Sequence, residues 1–472
     1  MSEGRQLNRS LGLSMVIVVA ISNIIGSGIY KKIAPMAGVL HSSGWVLLCW
    51  VFGGLISLFG ALCNAEVAGL LADTGGEYVY YKKIYNRFFS FIFGWSLFAV
   101  IQTAAISSLA YIFAQSVNHL IQLPPLLESA ASLHLGSWFY PFADFNIKLF
   151  AIILILLLTW INSRGIKTGA GLSTAILIFV FLGIFSIILF GLASRESNLS
   201  RVLNFQTTGS NPVGLSAVFT AMLAAFWAYQ GWAVVGYIGG EVKSAKKNIP
   251  LGLSIGVTIV IIVYLLVNTT YLSLLPISNL EKIYQSQNSI AAVEAARVFW
   301  GNAGVIFISL LIALTTLGSA HATILVSCRP YYAMAKEGYF FSKIGKLNKA
   351  HVPSNSLWLQ GIWASVLVLS GSFDQLTDMI IFAVFIYYGA TTLGVFILRW
   401  KMPDAPRPYK VWGYPFIPAI VVVFSMFLFI NTFFARPREA LIGTILMLTG
   451  VPFYYWFRQK QKKLEGEILL HS

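Results

Sequence analysis

The run Asn23-Ile24-Ile25-Gly26-Ser27-Gly28-Ile29-Tyr30 concentrates the groups in this sequence that can do chemistry. It sits in the middle of the first long apolar stretch, Leu11 to about Met36. A stretch of that length can cross a bilayer, whose hydrocarbon core takes about 20 helical residues. Two glycines and a serine at its centre disfavour an unbroken helix, each glycine by roughly 1 kcal/mol relative to alanine. Unwound backbone at membrane depth persists only where it is buried in protein or lines a cavity. A helix that restarts at such a break offers free N–H groups and a positive end, both suited to an anion. Gly26, Ser27 and Gly28 are therefore read as the receiver for the carboxylate of a small zwitterion. The competing reading is a glycine seam against which a second helix packs.

The elements that must position this run are set by composition. Of the 472 residues, 57% are hydrophobic and only 10% charged, against about 25% charged in soluble domains. That balance predicts an all-α polytopic membrane protein with little room for a soluble domain. Twelve apolar stretches are expected, at roughly residues 11–36, 44–72, 88–120, 146–162, 170–193, 212–240, 250–275, 302–329, 355–371, 375–399, 415–435 and 439–458. The fourth is at about the minimum spanning length. The net charge of +15 does not indicate nucleic acid, because most of the 32 basic residues fall in alternate loops. Placing those loops inside puts both termini in the cytoplasm. Arg5 and Arg9 precede a first span without a cleavage site, so that span is read as retained. Cys49, Cys63 and Cys328 lie in apolar stretches without metal-ligand or disulfide spacing.

A weak repeat follows. The sixth stretch carries Phe226-Trp227-Ala228-Tyr229-Gln230-Gly231-Trp232, then Gly236, Gly239 and Gly240. It stands five spans after the first, so the second copy enters the membrane the other way up. Paired broken helices in inverted halves mark a transport site near the midplane.

These segments resemble the amino acid–polyamine–organocation (APC) superfamily. Asn23 to Tyr30 looks like its first-helix motif, and Phe226 to Trp232 with Gly240-Glu241-Val242-Lys243 resembles its sixth helix and the loop after it. Ala65-Glu66 followed by Gly75-Gly76-Glu77-Tyr78 resembles the end of helix two. Ser327-Cys328-Arg329-Pro330-Tyr331-Tyr332 resembles the end of helix eight, and Pro403 to Pro415 the loop before helix eleven of L-type amino acid transporters, the bacterial members above all. The resemblance implies twelve transmembrane helices in a five-plus-five inverted-repeat fold, with helices 1 and 6 broken. The repeats would be 1–200 and 201–400, followed by 401–472 with helices eleven and twelve and a tail. It also implies a plasma-membrane transporter of L-amino acids, bacterial and in the inner membrane, needing no cofactor. Ser27 and Gly28 would hold the substrate carboxylate, the carbonyls of Ile24, Trp227 and Gln230 its amine, and Trp227 would gate.

Facing positions are expected near Phe98, Gln102 and Thr103, and near Gly318, Ala322 and Thr323, with Ala233 and Val234 small and apolar. No acid appears near the expected site, so a cationic side chain would lack a partner. That favours small to medium neutral amino acids. His321 is an ionisable group inside the eighth stretch, and reads either as a coupling residue or as a neutral hydrogen-bonded filler. Glu66 reads either as a proton relay or as a link to loops. Val180 stands where many relatives have a lysine ammonium, and Thr315 and Thr316 offer oxygens of the kind found in sodium sites. The loop 121–147 lacks the cysteine by which animal members bond a glycoprotein heavy chain, so no covalent partner is expected. An exchanger, an H⁺- or Na⁺-coupled permease, and, behind these, an antiporter of cationic amino acids or amines, a channel or a transporter-like sensor remain open. Enzyme signatures such as HExxH and the phosphate-binding loop are missing.

Overall fold

The long apolar runs fold as helices, because a backbone in hydrocarbon must satisfy its hydrogen bonds internally. The structure, a computed structural model, describes residues 12–71, 76–133, 139–164, 169–207, 212–233, 235, 242–286, 289–349 and 352–471. Among these residues there are helices and no strands. Among the described residues, eight helices are long and apolar enough to cross a membrane. The fourth expected span is one of them, Phe145–Ser163. Arg5, Arg9, Gly75, Val234, Gly236, Gly239, Gly240 and Glu241 lie outside the described residues.

The chain divides into two units, each drawing on both halves of the sequence. Unit 1 comprises Met1–Asn86, Ser186–Phe299 and Val384–Ala435. It holds α1 (Leu13–Ile24), α2 (Gly28–Lys31), α3 (Ile33–Leu40), α4 (Ser43–Leu70) and α5 (Glu77–Ile84). Unit 2 comprises Arg87–Phe185, Trp300–Ala383 and Arg436–Ser472. It holds α6 (Arg87–Ser96), a π-helical turn (Leu97–Ile101), α7 (Gln102–Ile121), α8 (Phe145–Ser163) and most of α9 (Gly169–Ala193). Returning to unit 1, the chain forms α10 (Leu215–Tyr229), α11 (Ala245–Leu274) and α12 (Ile277–Ser286). Then come α13 (Ala291–Lys336), α14 (Ser354–Ser370) and α15 (Phe373–Lys401), and finally α16 (Phe416–Ala435), α17 (Pro437–Leu448) and α18 (Gly450–His471).

Within unit 1, α11 packs along α4 and α1, and α10 packs on α4 and α3. Small residues permit these close crossings. A Cβ on Gly252 would meet Val16 Cγ1 at 2.5 Å, and one on Gly256 would meet the Ala20 methyl at 2.9 Å. The short amphipathic α12 is pinned to α3 at two points. His41 Nδ1 pairs with Glu281 Oε1 at 2.8 Å, and the Tyr284 ring lies against Gly38.

Candidate substrate site

The first helix breaks where the glycines predict. α1 ends at Ile24, Ile25 is extended (ψ 104°), and α2 starts at Gly28. The second break lies just after Tyr229: Gln230 is extended (ψ 151°) and Gly231 has φ +123°, a backbone that strongly favours glycine.

The two breaks interlock. A Cβ on Gly28 would fall 2.5 Å from Ala228 Cα, and one on Gly231 only 2.1 Å from the Asn23 carbonyl oxygen. The start of each second segment thus presses on the end of the other helix's first segment. Gly28 is therefore a packing glycine whose N–H sits at the start of α2. Gly26 differs: a Cβ there meets nothing within 4 Å. Asn23 is exposed and Gly26 half-buried, although Ile24, Ile25, Ser27 and Gly28 are buried. The break therefore opens onto accessible space at Gly26.

Tyr264 of α11 ties the two ends together. Its hydroxyl lies 3.0 Å from the Ile24 carbonyl and 2.9 Å from the Ala228 carbonyl, so one O–H serves the freed carbonyls of two helices. Its ring closes a triad with Trp50 and Tyr229, with centroids 5.1–5.7 Å apart. The Tyr229 hydroxyl donates to the Trp50 carbonyl at 3.1 Å. The Trp227 carbonyl accepts from the Gln230 N–H at 3.4 Å, and the Trp227 indole N–H donates to Ser27 Oγ at 3.2 Å. The indole therefore lies over the first break. Gln230 also borders a small cavity lined by Ser57, Gly60, Tyr229, Trp232 and Tyr388. Ile24, Gly26, Ser27, Gly28, Trp227 and Gln230 are thus brought together.

Glu66 serves elsewhere in unit 1. Its carboxylate, 3% exposed, accepts from Arg399 Nε (2.9 Å) and Nη2 (2.7 Å) and from the Val411 N–H (2.6 Å). Arg407 Nε lies 3.5 Å away. The loop after α15 is in this way fastened to α4, and both carboxylate oxygens are engaged.

Unit 2 holds the remaining predicted residues. Gln102 follows the π turn directly, and its Oε1 accepts from Ser327 Oγ at 3.0 Å. Thr103 Oγ1 donates to Phe98 O at 2.7 Å. Thr315 and Thr316 are buried and donate to Leu311 O and Ile312 O of their own helix, both at 2.7 Å. The His321 carbonyl accepts from Asn162 Nδ2 at 3.3 Å, and among the described residues no side chain bonds its imidazole. Thr323 stands on the same helix, half-buried, and Val180 is buried in α9. Among the described residues, no group of three or more His, Cys, Asp or Glu could hold a metal.

Sequence reasoning missed Tyr264 and the π turn. A tyrosine inside an apolar run carries no local signal, whereas the glycines of the breaks do.

Along almost its whole length the chain is similar to known proteins. The family model described as amino acid permease matches residues 11–457. The serine/threonine exchanger SteT of Bacillus subtilis (strain 168) is 27% identical over 465 residues, 98% of this chain and 99% of its own length. The b(0,+)-type amino acid transporter 1 of Mus musculus is 28% identical over 96% of this chain and 88% of its own. The human large neutral amino acids transporter small subunit 2 is 29% identical over 96% and 81%. These relatives are transporters rather than enzymes, and with its long apolar helices this chain is a multi-pass membrane protein. It belongs to the amino acid permease family, within the amino acid–polyamine–organocation superfamily.

Proposed function

We propose that this protein is a secondary transporter exchanging small to medium neutral L-amino acids across a plasma membrane. It does so with twelve spans arranged as a five-plus-five inverted repeat (1–200, 201–400) followed by 401–472. The observation that carries the reading is the reciprocal crossing of the two breaks. Gly28 packs on Ala228, Gly231 packs on Asn23, and the opening is left at Gly26. The substrate carboxylate is received by the N–H groups at Gly26 to Gly28 and by the Ser27 hydroxyl. The ammonium is received by carbonyls at the broken ends, where Ile24 O keeps a second lone pair beside its bond from Tyr264. Trp227 covers the substrate and exchanges its bond to Ser27 Oγ as it opens. Alternating access follows from tilting of the body that carries both breaks.

Neutral substrates are supported by the lack of Asp and Glu in α1, α2, α3 and α10. Exchange is supported by the end-to-end similarity to SteT, whose name describes a serine/threonine exchanger. Cys49, Cys63 and Cys328 are all buried, in line with a transporter that has no covalent heavy chain. Both termini are cytoplasmic in this reading, and the membrane is a bacterial inner membrane.

The test is uptake of radiolabelled serine, threonine, alanine and leucine into proteoliposomes, with and without unlabelled amino acid inside. Uptake is expected to require internal amino acid and to ignore imposed H⁺ and Na⁺ gradients. Gradient-driven uptake into empty vesicles would replace exchange with coupled permeation. In the same assay Gly26→Val, which meets open space, is expected to keep the protein folded and to lower apparent affinity at least about tenfold, the effect of losing roughly 1.4 kcal/mol of binding. Unchanged affinity would remove Gly26 from the site.

A further inference from the structure

A surface at the α15–α16 end of unit 1 has no part in substrate handling as derived above. α15 ends with Trp400-Lys401, α16 begins at Phe416, and the loop 402–415 joins them. Trp400, Trp412 and Phe416 are 81%, 73% and 74% exposed. Lys401 and Lys410 are exposed among them. Tryptophans at the end of α15 and in the loop before α16 mark the headgroup level, where an indole has both an apolar face and a polar edge to satisfy.

The loop is held in place rather than left free. Glu66 accepts from the Val411 N–H, and the Arg399 guanidinium lies 3.8 Å over the Tyr414 ring. Arg407 Nη2 caps α15 through the carbonyls of Leu398 and Met402, each at 2.8 Å. Lys401 Nζ donates to the Ile84 carbonyl at 3.1 Å, which brings the end of α5 and the exposed Lys83 beside the patch. The single buried carboxylate of Glu66 faces two guanidiniums, so the cluster keeps a surplus positive charge. Asp404 is the sole acid in the loop 402–415.

We propose that Lys401 and Lys410, flanked by Trp400, Trp412 and Phe416, form a binding surface for the phosphate headgroups of anionic lipids. The aromatic rings set the depth and the ammonium groups choose the headgroup. Lys401 keeps two N–H donors for phosphate while the third holds Ile84 O. Because Glu66 fastens the loop to α4, a lipid on this surface bears on the helix packed beside α10 and α11. Each lysine near an anionic surface contributes about a fivefold preference, and salt weakens it over about a Debye length.

The test uses the full chain in phosphatidylcholine vesicles that contain an equal small share of brominated phosphatidylglycerol or brominated phosphatidylcholine. Bromine on the acyl chain quenches tryptophans it touches. The quenching due to this surface is that of the wild type minus that of a Trp400→Phe, Trp412→Phe variant. Brominated phosphatidylglycerol is expected to quench severalfold more than brominated phosphatidylcholine. A Lys401→Gln, Lys410→Gln variant is expected to bring the ratio near one while quenching by brominated phosphatidylcholine persists, which shows the fold and depth to be intact. Equal quenching by both lipids in the wild type would overturn headgroup selection. A preference that survives the lysine substitutions would overturn the assignment to these residues. Quenching by aqueous iodide and by neither lipid would show a water-facing surface suited to a soluble partner, and would overturn the proposal outright.

Discussion

The paired breaks of unit 1 and the π turn of unit 2 interrupt their helices in opposite ways. In unit 1, α1 and α10 stop and the backbone turns extended at Ile25 and Gln230. In unit 2, the helix through Leu97–Ile101 stays wound and widens into a π turn. Each interruption recruits aromatic donors. Tyr264 serves Ile24 O and Ala228 O in unit 1. In unit 2 the Tyr331 hydroxyl donates to Leu97 O at 3.2 Å and the Trp363 indole N–H to Ala99 O at 2.9 Å. The difference is in what remains. The π turn keeps its chain of N–H groups inside one helix. The breaks of unit 1 start a new segment, whose first N–H groups have no helical partner. Only the second arrangement leaves main-chain donors without a helical partner, which is the feature the proposed carboxylate contact uses.

The comparison is broken most directly at the glycines. Gly231 and Gly301 both have positive φ, +123° and +58°. A Cβ on Gly231 meets the Asn23 carbonyl oxygen, whereas one on Gly301 meets nothing within 4 Å. Gly231→Ala combines a disfavoured backbone with a clash against backbone, and is expected to cost at least about 3 kcal/mol. Gly301→Ala carries the backbone term alone, about 1–3 kcal/mol. Thermal unfolding of the two purified variants measures the gap. Equal shifts would mean that the breaks do not lock one another.

A smaller effect is expected at the aromatic donors. Tyr264→Phe strands two buried carbonyls on different helices and is expected to cost about 1–3 kcal/mol. It is also expected to slow exchange, because the ends it joins then move separately. Tyr331→Phe strands no carbonyl, because Leu97 O also accepts the Gln102 N–H, and it is expected to cost no more than about 1 kcal/mol with the exchange rate unchanged. If both variants slowed exchange alike, the division of labour between break and π turn would fail.

The sequence disclosed the breaks and hid what closes them. Gly26-Ser27-Gly28 in an apolar run is a local conflict with helix, so the first interruption was legible to within a residue or two. Gly231 gave the second in the same way. The neighbours were not legible. Gly28 meets Ala228 across 200 positions, and Glu66 meets Arg399 across 333. Periodicity does not encode such pairings. The π turn was hidden for another reason: Leu-Phe-Ala-Val-Ile has nothing that disfavours an ordinary helix, and the extra residue is accommodated by tertiary donors. Glycines in mid-span also left carboxylate receiver and packing seam undecided. The neighbours put Gly28 on the packing seam and leave open space beside Gly26.

The smallest effect is expected at Thr315 and Thr316, and it sharpens the comparison from the unit 2 side. Each hydroxyl donates to a carbonyl four residues back on α13, at 2.7 Å. Leu311 O and Ile312 O also take main-chain N–H groups within that helix, so removing the hydroxyls strands no acceptor. Valine keeps the branched shape at Cβ and its preferred helical rotamer. A Thr315→Val, Thr316→Val double variant is therefore expected to unfold within about 1 kcal/mol of the wild type, with exchange unchanged. The informative readout is a sodium gradient imposed on that variant and on the wild type. Hydroxyls that donate along their helix still expose lone pairs, so their geometry alone permits a weak cation contact. If they use it, the wild type responds to the gradient and the double variant does not. If exchange belongs to the breaks of unit 1 alone, the two proteins give the same uptake at every sodium concentration, and the two threonines are simply well-packed polar residues of a continuous helix.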